Sequence, residues 1–243
     1  MNEPRLRMFA GPNGSGKSTL KDTLKAEWLG VYINPDDMEK SIRQLGFLDF
    51  TPYELVVDEH ALRRFLKSSS LLKKFNLLAD VDQLTFSENK LHFNLLVVNA
   101  YHASVLSDFI RQELIAAKIS FSFETVMSSE DKVLFLQAAQ RAGFRTYLYY
   151  VATEDVEINI ERVQIRVSQG GHPVPEEKIR TRYDRSLALL IRAVDFSNRA
   201  FIFDNSGEGK EFIAEVTDGQ KIEIQVDEMP HWFKTALWDK FAD

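Results

Sequence analysis

Eight consecutive residues carry the clearest chemistry in the chain: Gly11, Pro12, Asn13, Gly14, Ser15, Gly16, Lys17 and Ser18, with Thr19 following. They match the GxxxxGK[ST] pattern of a phosphate-binding loop. Glycines permit backbone conformations that turn several N–H groups toward phosphate oxygens. The helix expected after the loop presents its first amides to the same anion. Lys17 is placed to reach the β- and γ-phosphates, and the Ser18 hydroxyl to ligate magnesium. The loop therefore implies ATP or GTP bound with Mg2+. It does not name the reaction, because kinases, GTPases and motor ATPases share it. The guanine-reading pattern NKxD is missing: Asn89-Lys90-Leu91-His92 lacks the final Asp. This favours ATP. Leu55-Val56-Val57-Asp58-Glu59-His60 resembles the DExH string of motor ATPases. Its apolar spacing continues as a helix through Leu62 and Leu66, which a buried Walker B strand would not do.

A kinase acting on a hydroxyl needs a carboxylate to orient the acceptor and take its proton. Asp36 and Asp37 follow a short strand, at the sheet edge where open parallel sheets bind ligands. Asp36 is the candidate base; equally, either residue could cap the helix that starts there. Glu124 ends a later strand. It could meet a substrate hydroxyl, hold magnesium through water, or cap a helix. Arg162 and Arg166 stand four apart on one predicted helix and so share a face. Paired arginines on a lid neutralise charge on a transferred phosphoryl group; on a plain surface they would pair with Glu157 and Glu161. His172, just past Gly170-Gly171, is either a lid residue or structural.

These residues must be held by alternating elements. Arg5–Ala10 reads as a buried strand, Ser18–Trp28 as a helix on the spacing of Leu20, Leu24 and Trp28, and Val31–Ile33 as a second strand. Residues 50–100 read as an insertion of mixed structure, with helical spacing from Glu54 to Lys67 and no firm period from Asn76 to His92. Helical spacing returns from Val98 to Ala117. A strand Ile119–Phe123, a helix begun by Ser128-Ser129, a strand Arg145–Ala152 and a helix capped by Thr153 follow. Pro175 opens another helix, and Ala200–Phe203 is a last buried strand before a turn at 204–207. The tail reads as a hairpin turning at Asp218-Gly219, then a short amphipathic helix with Trp232, Phe233, Leu237 and Trp238. Strand–helix alternation implies an α/β fold, a three-layer P-loop NTPase sandwich with a mainly parallel sheet. The expected organisation is a kinase-like domain over 1–206, interrupted near 50–100, with an extension over 207–243 packed on it.

The chain of 243 residues is 44% hydrophobic and 27% charged, ordinary globular values. No apolar run approaches the ~20 residues of a membrane span. The N-terminal segment runs into the phosphate loop and does not read as a signal peptide. With no cysteine, disulfides and thiolate-bound zinc are excluded. These features suit a cytoplasmic protein. The net charge of −6 argues against a nucleic-acid partner, and the basic cluster Arg63, Arg64, Lys67, Lys73 and Lys74 reads as solvated surface.

The ordered set AGPNGSGKST, INPDD, SFSFETVMSS, YLYYVATEDVEINIERVQIRVSQGGHPVPEEKIRTRYDRSL and FIFDNS resembles the zeta-toxin-like P-loop kinases, above all their chromosomal branch. The resemblance covers about 1–46 and 100–206 and leaves out roughly 50–100. It implies phosphoryl transfer from ATP with magnesium to a small-molecule acceptor, a UDP-sugar such as UDP-N-acetylglucosamine, and a small antitoxin partner in some systems. It implies that Asp36 is the catalytic base, Lys17 the phosphate lysine, Glu124 a substrate-binding carboxylate and Arg162 a γ-phosphate contact. Three departures bear on the acceptor more than on the phosphate chemistry, one of them the 50–100 insertion, which would lie near the acceptor side. Ser128 stands where the toxins carry an arginine, and Arg166 or His172 takes the place of their second lid arginine. A regulatory ATPase acting through a protein partner is the alternative function.

Overall fold

The computed structural model describes residues 3–171 and 173–241. Along the chain run β1 (Arg5–Ala10), α1 (Lys17–Lys21), α2 (Ala26–Leu29), β2 (Val31–Ile33), α3 (Pro35–Leu45), β3 (Phe47–Asp49), α4 (Glu59–Ser68), α5 (Ser70–Lys74), β4 (Thr85–Ser87), β5 (Lys90–His92) and α6 (Ala100–Ala117). Then come β6 (Phe121–Thr125), α7 (Glu130–Arg141), β7 (Arg145–Ala152), α8 (Val156–Ser168), α9 (Glu176–Ala188), α10 (Leu190–Asp195), β8 (Arg199–Asp204), β9 (Glu211–Thr217) and β10 (Lys221–Ile224). The last segment is helical, from α11 (His231–Phe233) through a π turn to α12 (Asp239–Phe241). The fold is mixed α/β with a mainly parallel sheet. Among the described residues, no helix is long and apolar enough to cross a membrane.

The chain divides into two compact units, residues 1–29 with 122–243, and residues 30–121. In the first, strands lie in the order β10-β9-β8-β7-β1-β6. β1 is parallel to β7 and β7 to β8, whereas β9 and β10 continue antiparallel. Leu6, Met8, Phe9 and Ala10 of β1 are all fully buried, with the buried Arg7 as the one polar residue among them, as in a strand covered on both faces. Parallel pairing brings the carboxyl ends of β1, β7 and β8 to one edge, at Ala10, Ala152 and Asp204. The loops leaving those ends build the candidate site.

Several local expectations change here. The single helix expected over 18–28 is two short ones. Thr23 N and Leu24 N bond three residues back, and Thr23 Oγ1 donates to the Leu20 carbonyl at 2.7 Å, so the hydroxyl competes with the helical ladder. Leu20 is buried but Trp28 is 44% exposed, so the four-residue spacing makes no continuous stripe. Asp155, not Thr153, caps α8, accepting from Glu157 N at 2.9 Å. Thr153 is buried and its hydroxyl bonds Asn159 instead. The tail hairpin does turn at Asp218-Gly219, both with positive φ. Trp232, Phe233 and Leu237 are buried.

In the second unit, α3 packs on α6 and β3, and α4 and α5 pack on α6. A three-stranded antiparallel sheet has the order β3-β5-β4. Phe50, Leu62, Phe93 and Ile110 are buried. The Walker-B-like string forms no strand: Asp58 caps α4, accepting from His60 N and Ala61 N. Two members of the basic cluster have defined partners. Arg63 donates to Glu59 and to the carbonyls of Val81 and Leu84, and Lys67 pairs with Asp82 at 2.6 Å.

Candidate active site

The phosphate loop runs from the end of β1 into α1 in the first unit. Three glycines take positive φ: Gly11 (140°), Gly14 (77°) and Gly16 (96°). Each is also sterically confined. A Cβ on Gly11 would lie 2.0 Å from the Val151 carbonyl oxygen, and one on Gly14 2.5 Å from that of Asn159. On Gly16 it would lie 2.4 Å from Asn205 Nδ2. Backbone therefore crowds the loop from β7 and α8, and a side chain from the turn after β8.

Polar contacts hold the loop from the same directions. Asn159 Nδ2 donates to the Asn13 carbonyl at 2.6 Å, and Asn205 Nδ2 to that of Ser15 at 2.7 Å. Arg182 Nη1 reaches Asn13 Oδ1 at 3.5 Å. These side chains fix a backbone whose own N–H groups are thereby left to face an anion. Lys17 Nζ donates to the carbonyls of Gly11 and Pro12 at 2.9 and 2.8 Å. Ser18 Oγ donates to Glu124 Oε2 at 2.9 Å, which couples the loop to the end of β6. Glu124 is half-buried and Ser18 exposed.

Arg162 is half-buried on α8, one turn beyond Asn159. Its Nη1 donates to the Asn205 carbonyl at 2.6 Å and its Nη2 to that of Gly207 at 3.5 Å. Carbonyls, and not Glu157 or Glu161, receive this guanidinium; Glu157 pairs with Arg180. Arg166 lies a turn further and is exposed. Lys210 approaches from the turn after β8, donating to Thr19 Oγ1 at 2.6 Å. Burial, then the neighbouring Arg162, hold its pKa below the usual lysine value, against the pull of Asp22.

The turn after β8 is itself anchored. Asp204 accepts from Ser206 N at 2.8 Å, Ser206 Oγ at 2.9 Å and Trp232 Nε1 at 2.7 Å. Ser206 Oγ also accepts from Glu154 N at 2.7 Å. The tail thus reaches the site through Trp232.

A family model described as Zeta toxin matches residues 97–233, more than half of the chain. The chain belongs to the Zeta toxin family. The matched segment holds Glu124, α8, Arg162 and the turn after β8, while the phosphate loop lies outside it. An uncharacterised protein of Haemophilus influenzae is 28% identical over 120 residues, covering 47% of this chain and 83% of that one. Among solved structures, AvrRxo1-ORF1:-ORF2 with ATP superposes with a TM-score of 0.59 at 13% identity, covering 99% of this chain and 64% of that one. This chain thus spans less than two thirds of that chain's length. The PezAT chromosomal toxin–antitoxin system of Streptococcus pneumoniae gives 0.50 at 12% identity, covering 98% and 80%. At such identity the likeness shows the fold.

In this Zeta toxin family member, the structure brings five of the expected site residues and segments onto one edge: the phosphate loop, Lys17, Ser18, Glu124 and Arg162. His172 lies outside the described residues. Asp36 belongs to the second unit, in the first turn of α3, and is exposed. Neither Asp36 nor Asp37 caps that helix; Asn34 does, its side chain accepting from Asp36 N at 2.9 Å. Burial and the Asp37 charge raise the pKa of nearby Tyr53. Sequence reasoning missed Asn159, Arg182, Asn205 and Lys210. Asn205 had one available signal, a polar turn residue leaving the carboxyl end of a buried strand. The other three answer to no motif.

Proposed function

We propose that the protein transfers the γ-phosphoryl group of ATP to a hydroxyl of a small metabolite. The observation that carries this reading is the Ser18–Glu124 contact of 2.9 Å at the mouth of a fully formed phosphate loop. It sets a hydroxyl and a carboxylate side by side, hard oxygen donors of the kind Mg2+ takes alongside phosphates. Magnesium held there by Ser18 and Glu124 would supply charge neutralisation to the β- and γ-phosphates. Lys17 binds the same phosphates, and Arg162, released from a carbonyl, stabilises charge on the moving group. Arg166 and His172 are the candidates for a second lid contact. The bond from the γ-phosphorus to the ADP oxygen breaks and a bond to the acceptor oxygen forms. Asp36 takes the acceptor's proton.

Family membership supports this activity, and an ATP-bound structural neighbour supports adenine nucleotide as the donor. The acceptor class suggested by the resemblance is a UDP-sugar such as UDP-N-acetylglucosamine. The PezAT neighbour is named as a toxin–antitoxin system, which supports an antitoxin-like protein partner here. The organisation into a kinase core with an extension over 207–243 belongs to the same proposal, as does a cytoplasmic location.

The test is transfer of label from γ-labelled ATP with magnesium to a panel of nucleotide sugars, nucleosides and sugars. Label should appear on one acceptor and vanish in Lys17→Ala and Asp36→Ala, with Asp36→Ala still binding ATP. Label released only as free phosphate, unchanged in Asp36→Ala, would replace the kinase by a regulatory ATPase that acts through a protein partner.

A further inference from the structure

Lys210 is a cation placed on the phosphate loop from a part of the sequence with no motif. Its Nζ donates to Thr19 Oγ1 at 2.6 Å, and Thr19 Oγ1 donates to the Gly16 carbonyl at 2.9 Å. Its stem runs beside Gly16: a Cβ there would stand 3.4 Å from Lys210 Cε. Asn205 fixes the same turn to the loop at a second point, on the Ser15 carbonyl. The ammonium is therefore tethered at the loop.

Two features of this placement bear on a ligand. A hydroxyl is a neutral partner, which occupies one of three ammonium donors, and the Asp22 charge opposes the lowering of the Lys210 pKa without removing it. A second cation, Arg162, bears on it through the same turn and lowers its pKa, after burial itself. Gathering like charges beside a phosphate loop costs free energy that a bound anion offsets.

The two ammonium groups sit at opposite ends of the loop. Lys17 lies on the carbonyls of Gly11 and Pro12, at its start. Lys210 lies on Thr19, past its end. Lys17 serves the β- and γ-phosphates. A cation at the far end meets the phosphate chain toward its nucleoside side.

We propose that Lys210 binds the α-phosphate of the nucleotide, closing the phosphate loop from the turn after β8. The proposal rests on the nucleotide-binding reading above and adds a residue to it. Because ADP and ATP share an α-phosphate, the contact strengthens both equally and does not select between them.

The experiment is calorimetric titration of the full chain with ADP and with ATP, for wild type, Lys210→Gln and Lys210→Arg, after melting temperatures are shown to match. Glutamine can still hydrogen-bond Thr19 but carries no charge. It should weaken both nucleotides by the same factor, about tenfold or more, the usual loss of a charged hydrogen bond. Arginine keeps the charge and should stay within about threefold of wild type. Wild-type affinity in Lys210→Gln overturns the proposal, as does a loss confined to ATP, which puts the contact on the γ-phosphate. Equal losses in both variants also overturn it, since they show that the shape of the lysine side chain, and not its charge, supports binding. Wild-type protein that binds neither nucleotide removes the kinase reading itself, and the Lys210 assignment with it.

Discussion

Gly16→Ala tests how tightly the phosphate loop is coupled to the turn after β8. Gly16 has φ +96°, where an alanine is strained by roughly 1–2 kcal/mol. The new Cβ would lie 2.4 Å from Asn205 Nδ2, a separation that no side chain tolerates, so Asn205 must swing away. That forfeits its hydrogen bond to the Ser15 carbonyl, worth about 1 kcal/mol net. The two effects sum to roughly 2–3 kcal/mol, or about 4–12 °C in melting temperature for a chain of this size. Asn205→Ala alone loses only the hydrogen bond. In the double variant the bond is already gone and the collision is absent, so only the strain is added. Thermal unfolding of the four proteins should show the double variant less destabilised than the sum of the singles by about 1 kcal/mol. Strict additivity would refute the reasoning, because it would mean that Gly16 and Asn205 do not share space. Nucleotide titration on the same proteins should show weakened binding wherever the loop is displaced.

Trp232→Phe should lower stability by roughly 1–3 kcal/mol in denaturant unfolding, since the buried indole N–H no longer reaches Asp204. It should also weaken ATP binding, because Asp204 holds Ser206 beside the Arg162 contacts; unchanged affinity would detach the tail from the site. His102 is buried on α6 and bonded to Asp80 at 3.0 Å. Burial, partly opposed by Asp80, depresses its pKa below the ordinary 6.5. The unfolded chain then binds the proton more readily, so stability falls as pH drops through about 6.5. His102→Gln should flatten that part of the pH–stability curve, and an equally steep curve in the variant would place the titration elsewhere.

The sequence sufficed wherever function depends on a contiguous segment. The phosphate loop is eight residues with their own backbone requirements, so Gly11, Gly14, Gly16, Lys17 and Ser18 announce themselves. The buried strands β1, β7 and β8 were legible because each is an apolar run with clear ends, and the tail hairpin because Asp218-Gly219 suits positive φ. The β4–β5 hairpin was not legible. Its turn uses Glu88-Asn89 with both residues at positive φ, and glutamate gives no local cue for that conformation. The spacing of Arg162 and Arg166 put both on one helix face, but helix spacing sets which way side chains point and not what they meet, so the carbonyls of Asn205 and Gly207 that receive Arg162 were not legible. Asn159, Asn205 and Lys210 stand 146, 190 and 191 positions from the groups they touch. Only parallel pairing of β1, β7 and β8 brings the ends of those strands to one edge, and with them the side chains that make a glycine loop into a site. Contacts of that kind are set by sheet order, a tertiary property, and leave no periodicity or spacing in the chain to be read.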